Sequence, residues 1–346
     1  MTERVASGDM TERALGPVIG VVGGGVTGGQ VATQLTDFAV DGRRVGLIVH
    51  DEQAMVARRL ATFIGGVATE QLEDLAAADV VAFCQPSPHA ELAARFLDAG
   101  VTVVSTSDDP DDVIDLLGLA AAHRPPLVIG AAMAPGMSGL LARSLAGELD
   151  SADEIHVAVS GTGGPACARR HHRALGARAL GWADGDWIER RGGSGRELCW
   201  FPDPMGARDC YRAAHADPVL LHLAFPDVER ITVKVSATRR DRLTSRLPML
   251  RPPHVGGNLG AVRVELRGGL AGGARWTVIA GAAGRTAALA AAVCAAAVEA
   301  CAEGQVPPGV HTPGDEALEP AGLLARVVHH GVTIQEFTGV ARPSTW

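Results

Sequence analysis

Short aliphatic runs recur along the first third of the chain, and a stretch with apolar positions every three or four residues follows each. The runs are Val18–Val22, Arg44–Val49, Val80–Cys84, Val101–Ser105 and Leu127–Gly130. Brief runs with little polar alternation suit strands buried on both faces. Val26–Phe38, in which Val31 and Leu35 lie four apart, carries the helical period. Glu52–Thr62, Glu70–Ala78, Pro88–Ala99 and Pro110–His123 read as further helices. Strands alternating with helices predict a parallel, doubly wound sheet.

The period changes near residue 135. Met137–Leu149 reads as a helix, and Glu154–Ser160, Arg230–Ala237, Gly260–Arg267 and Arg275–Ala280 then read as strands. Ile231, Val233 and Val235 share one face, as do Val262, Val264 and Leu266. A period of two predicts an antiparallel sheet with one covered face. Between the first two of these strands, Gly161 to Pro226 is rich in Gly, Arg, His and Trp, and a segment of that length reads as functional. A helix over Arg285–Glu303, a turn-rich connector from Gln305, a helix over Leu318–His330 and a strand over Val332–Phe337 close the chain. No internal repeat is visible.

The first strand ends in Gly23-x-Gly25-x-x-Gly28 and opens a helix, which is the dinucleotide fingerprint in its expected setting. Gly23 allows the tight turn, Gly25 lets backbone approach a pyrophosphate, and Gly28 lets the helix pack close to the sheet. Val26 and Thr27 then open the helix with free N–H groups. The fold class expected is α/β: a Rossmann doubly wound parallel sheet plus an α+β domain with an antiparallel sheet. The expected divisions are a disordered tail over 1–15, a dinucleotide-binding domain over 16–135, a substrate and dimerisation domain over 136–282, and C-terminal helices over 283–346 that return to the nucleotide domain.

Composition narrows the function. Of 346 residues, 47% are hydrophobic and 20% charged, the balance of an ordinary soluble globular protein with an ample core. A net charge of −8 argues against nucleic acid and anionic membrane as partners. The six cysteines form no CxxC pair and no zinc-like spacing, so they read as reduced thiols and no metal is expected. Met1–Gly16 has no apolar signal-peptide core, and the alanine-rich Thr286–Ala302 carries Glu299 and is a weak spanning segment. A cytoplasmic location is the expectation. Lys234 is the only lysine, so lysine chemistry could fall only there.

Candidate chemistry gathers at the strand ends. Asp51, after the second strand, stands where an acid binds ribose hydroxyls and repels a 2′-phosphate. That favours NAD over NADP, although Arg58 and Arg59 are near enough to answer such a phosphate; Asp51 reads equally as a helix N-cap. Cys84, Gln85 and Pro86 leave the next strand toward the ligand crevice, and Ser87 with Pro88 reads as a helix start. Thr106 is a further crevice candidate, whereas Asp108 and Asp109 read as caps. Met133 leads into a Pro-Gly turn that suits either a carboxylate site or a hinge.

The densest patch is Arg169-Arg170-His171-His172-Arg173. An arginine fork holds a carboxylate, and a histidine exchanges a proton near neutral pH. Arg169, Arg170 and Arg173 are the anchor candidates, and His171 and His172 the proton-transfer candidates. Tyr211, the only tyrosine, is a third acid candidate, and Trp200 a substrate wall. A solvated basic helix face is the plain alternative.

The order of these motifs resembles the saccharopine dehydrogenase-like group of NAD(P)-dependent oxidoreductases. The glycine fingerprint, the Cys84-Gln-Pro strand end, Ala99-Gly-Val-Thr-Val-Val-Ser, the Ala134-Pro-Gly-Met turn and Gly304-Gln-Val-Pro-Pro-Gly-Val-His-Thr-Pro carry the likeness. The pattern is also similar to the glucose-fructose oxidoreductase and inositol dehydrogenase group, and diaminopimelate dehydrogenases share the architecture. The first resemblance implies oxidoreduction at the C–N bond of an amino acid or imine, a carboxylate-bearing substrate and a homodimer joined through the antiparallel sheet. The lysine–histidine pair of some lysine-forming members has no counterpart, because the nucleotide domain holds no lysine. A dehydrogenase of CH–OH substrates and a non-catalytic nucleotide-binding protein are the two alternatives.

Overall fold

The structure, a computed structural model, describes residues 16–120, 125–249 and 252–337. The expected tail over 1–15 and the His123 end of a predicted helix lie outside the described residues.

The aliphatic runs form the predicted strands. In order come β1 (Val18–Val22), α1 (Val26–Gln34), β2 (Gly46–His50), α2 (Ala54–Ile64), β3 (Val67–Thr69), β4 (Val80–Phe83), α3 (Ala90–Asp98), β5 (Thr102–Ser105), α4 (Pro110–Leu117), β6 (Leu127–Ile129) and α5 (Met137–Ala146). The strands pair in parallel in the order β3-β2-β1-β4-β5-β6, and Val310–His311 joins beside β6. This is the dinucleotide-binding strand order, which reverses between β1 and β4. All four residues of β4 are buried, as an apolar run covered on both faces requires.

The second sheet is built from β7 (Ser151–Ser160), β8 (Arg178–Ala183), β9 (Asp186–Arg191), β10 (Glu197–Phe201), β11 (Gly206–Arg212), β12 (Arg230–Ser236), β13 (Leu259–Gly269) and β14 (Arg275–Arg285). Its order is β9-β8-β12-β7-β13-β14, with Ile334–Glu336 at the β14 edge and the β10–β11 hairpin joined to β12. Pairing is antiparallel except between β7 and β12, which run parallel. Gly161 to Pro226, read from the sequence only as a long functional segment, is structured over much of its length. It holds α6 (Pro165–Ala174), two hairpins and α7 (Asp217–Ala224).

After β12 comes the short helix α8 (Arg239–Thr244), and after β14 the helix α9 (Thr286–Ala302). Alanine-rich α9 is buried on nearly all sides, as a helix apolar around its whole circumference must be. It packs against α1, against β4 and β5 of the parallel sheet, and against β14. One apolar core therefore runs from Ile19, Val21 and Val49 through α9 to Val157, Val264 and Ala280. The last helix, α10 (Pro320–His329), packs on α9 and α5. No helix among the described residues is long and apolar enough to cross a membrane.

Candidate active site

Between β1 and β4 the connections leave in opposite directions and open a crevice. Gly23 turns out of β1 at φ +93°, and its N–H donates to the His50 carbonyl at 2.8 Å. A Cβ on Gly23 would lie 2.6 Å from the Gln85 amide nitrogen, and one on Gly28 would lie 1.8 Å from the Gly23 carbonyl oxygen. Gly25 is different. It is the exposed N-cap of α1, and a Cβ there would meet nothing within 4 Å. The first-turn amides of Val26 and Thr27 have no acceptor within the helix, and the positive end of the helix dipole faces the same opening.

Asp51 braces this loop. One carboxylate oxygen accepts the Gly24 N–H at 2.8 Å and the other the Gln53 N–H at 2.9 Å. It is not the N-cap of α2, a position held by Gln53. Across the crevice, Gln85 Oε1 is buried with no hydrogen-bond partner. An unmatched buried acceptor costs about 1–3 kcal/mol, and a ligand donor would remove that cost. Cys84 lies against Cys294 of α9, Pro86 is exposed, and the Thr106 hydroxyl donates to the Phe83 carbonyl at 2.8 Å, tying β5 to β4. The open side at Gly25, the free helix-start amides and the orphaned Gln85 oxygen fit a dinucleotide.

Helix α6 starts at the mouth of this loop. A Cβ on Gly163 would lie 3.4 Å from Thr27 Oγ1, and one on Gly164 3.6 Å from a Val26 methyl. Arg170 Nε then lies 2.6 Å from Asp108, beyond the end of β5. The His171 ring faces His215, with centroids 6.2 Å apart. His215 Nδ1 lies 2.6 Å from Asp217, and both side chains are buried. The Ser138 hydroxyl, on the first turn of α5, donates to the other Asp217 oxygen. Four separate parts of the chain thus bring one cluster of buried polar side chains together.

The electrostatics of this cluster are unusual. Burial pushes His171 down to about 3, and His215 and Arg170 act in the same direction, so the ring is neutral at pH 7. Burial works to raise Asp108, but Arg170 and His215 outweigh it and hold the carboxyl below its ordinary range. Burial, with Asp108 nearby, lifts the Cys167 thiol to about 11, so it stays protonated. Arg170 Nη2 is buried and has no hydrogen-bond partner among the described residues.

The other predicted site residues lie elsewhere. His172 points to a different side of α6, where Nε2 donates to the Thr244 and Leu247 carbonyls at 2.9 and 3.2 Å. Tyr211 is buried in β11 beneath the Arg242 guanidinium, 4.1 Å from its ring centre. Arg169 and Arg173 are exposed, Trp200 stands on the outer face of β10, and Met133 is buried in the core. His89 is fully buried, its ring nitrogens 2.8 Å from Ser105 Oγ and 2.9 Å from the Gln85 carbonyl. Sequence reasoning missed His215, Asp217 and Ser138 and took Asp108 for a cap. The only local sign was His215-x-Asp217-Pro218, a histidine just ahead of an acid that opens a helix.

No protein-family model matches the chain, and no curated protein does. Solved structures do. Apo saccharopine dehydrogenase (L-Glu forming) from Saccharomyces cerevisiae aligns with 93% of this chain and 100% of its own, at 15% identity and a TM-score of 0.69. The fold is that of saccharopine dehydrogenase. Looser likenesses are GenD2 from gentamicin A biosynthesis in complex with NAD (18% identity, 94% and 97% covered, TM-score 0.47) and a myo-inositol dehydrogenase from Corynebacterium glutamicum (12%, 94% and 100%, 0.45). Within the saccharopine dehydrogenase fold, α6 is the element that joins the glycine loop to the His171 cluster.

Proposed function

We propose that the chain is an NAD(P)-dependent oxidoreductase acting at the C–N bond of an amino acid or its imine, with NAD favoured. The observation that carries this reading is the meeting of an open glycine cradle with a neutral buried histidine and an unsatisfied buried arginine on one helix, α6. The cofactor, when bound, supplies or accepts the hydride. Gly25, Val26 and Thr27 would hold its pyrophosphate and Asp51 its ribose. Arg58 is engaged by Glu70, which leaves the Asp51 carboxylate to set the preference against a 2′-phosphate.

Arg170 is the substrate anchor in this reading. Its free Nη2 would bind a substrate carboxylate while Asp108 fixes the guanidinium. A substrate carboxylate on Arg170 would offset one of the charges that hold His171 neutral, so that in the bound state the ring accepts a proton from the substrate nitrogen in the oxidative direction and returns it in the reductive one. His215, Asp217 and Ser138 position it. Lys234, the only lysine, is paired with Glu197 in the second sheet, which weakens a lysine-assisted polyol mechanism. The carboxylate-bearing substrate and a homodimeric state belong to the same proposal.

The test is cofactor oxidation by the full chain with NADH or NADPH, offered α-keto acids with and without an amine, and, in reverse, amino acids and polyols. Turnover that requires both keto acid and amine, or an amino acid in reverse, is expected. Turnover of polyols alone would move the chain to CH–OH chemistry. Cofactor binding without turnover would make it a nucleotide-binding protein.

A further inference from the structure

The far end of α6 forms the wall of a second concavity. Beyond Leu175 and Gly176 lies a pocket of about 480 Å3, within the range of small-molecule sites. Arg191, Arg239, Arg242 and Arg246 line it together with Ser194 and Ser245, and no Asp or Glu does. Elsewhere on this acidic chain arginines sit against carboxylates, as in Arg44 with Asp37, Arg95 with Glu73, Arg178 with Glu189 and Arg275 with Asp153. None of the four pocket arginines has a carboxylate partner among the described residues. The nearest acid in sequence, Asp241, is occupied by Thr238 in the capping box that starts α8.

One of the four is set in place. Arg242 Nε donates to the Gly193 carbonyl at 2.8 Å, and its guanidinium lies over the Tyr211 ring. A guanidinium held in this way loses little further freedom when it binds an anion. Convergent cations with no anion among them repel one another, and a bound anion removes that repulsion. A carboxylate needs one guanidinium fork. Three or four converging forks match a tetrahedral phosphate, whose oxygens accept from several directions. Leu175 and Leu243 add an apolar wall for an organic group.

We propose that this pocket binds a small organic phosphate at a site separate from the cofactor cradle. The separation follows from α6, whose ten residues span about 15 Å from the glycine loop to the pocket. The far end is tied to α8 by the His172 hydrogen bonds.

The test is calorimetric titration of the full chain, first saturated with NADH, using phenyl phosphate as probe and benzoate as its carboxylate counterpart. Single-site phenyl phosphate binding is expected, at least tenfold weaker in an Arg239→Glu/Arg246→Glu double variant and at least tenfold weaker for benzoate. Both substituted residues are exposed, and NADH binding by the variant checks its folding. Absence of saturable binding, equal affinity in the variant, equal affinity for benzoate, or displacement by NADH would each overturn the proposal.

Discussion

His171 and His172 are neighbours in sequence, but a helix turns about 100° per residue, so they serve different faces of α6. His171→Gln should lower kcat about 10²-fold or more with little change in KM. Arg170→Ala should chiefly raise KM, because it removes the proposed anchor, used in both ground and transition states. His172→Ala should leave both constants near wild type but cost about 1–3 kcal/mol in urea unfolding, because the Thr244 and Leu247 carbonyls lose their donor. Steady-state kinetics and denaturation together check all three. The pH dependence of stability follows from burial of the same ring. The unfolded imidazole takes up a proton near 6.5, whereas the native one resists until about 3. Stability is therefore full above 6.5 and falls as pH drops toward 3, because the unfolded state binds the extra proton. His89 and His222, also depressed by burial, add to that slope. His171→Gln should flatten it between pH 4.5 and 6.5. An unchanged slope would mean that the ring is charged in the native state.

At the scale of elements, capping departs from the local pattern. Ser87 and Pro88 predict a start for the third helix, yet α3 begins at Ala90, and the Ser87 hydroxyl lies 2.8 Å from that of Ser107. The amides of His89 and Ala90 instead donate to one carboxylate oxygen of Asp112, on α4. Asp112→Ala should cost about 1–2 kcal/mol, and Asp112→Asn much less because the accepting oxygen remains. Urea midpoints distinguish the two. This is where legibility ended. The strands of the parallel sheet and the glycine loop were readable because period and turn chemistry are local. The parallel pairing of β7 with β12 was not, because alternation reports which face is buried and is silent about the partner. Nor was the His171 cluster, since Ser138 and Asp217 stand 79 positions apart and only the tertiary fold brings them together.

The two sheets share the largest core, with smaller clusters around Phe83 and Phe96 and around Phe201 and Cys210. Because α9 packs on both sheets, neither sheet can expose its inner face without the other. A single cooperative unfolding transition is expected in calorimetry, with NADH shifting all of it upward. Two resolved transitions, only one of them moved by NADH, would contradict this. The proposed homodimer has a surface to draw on, because Leu198 and Trp200 stand 58% and 62% exposed on one face of β10. Light scattering should give twice the chain mass, and Trp200→Glu should halve it. A wild-type monomer would end that proposal.

The brace at Asp51 bears on how such a protein can be re-engineered. The carboxylate proposed to discriminate against a 2′-phosphate is the same one that fastens Gly24 to the entry of α2. Under the proposed function, exchanging it to accept the phosphorylated cofactor would slacken the loop that is to hold either cofactor, so selectivity and grip cannot be tuned apart at this position. The separable route runs through Glu70. Removing it frees the Arg58 guanidinium and leaves the brace intact, which makes that exposed pair, and not the acid beside the glycines, the place to alter preference.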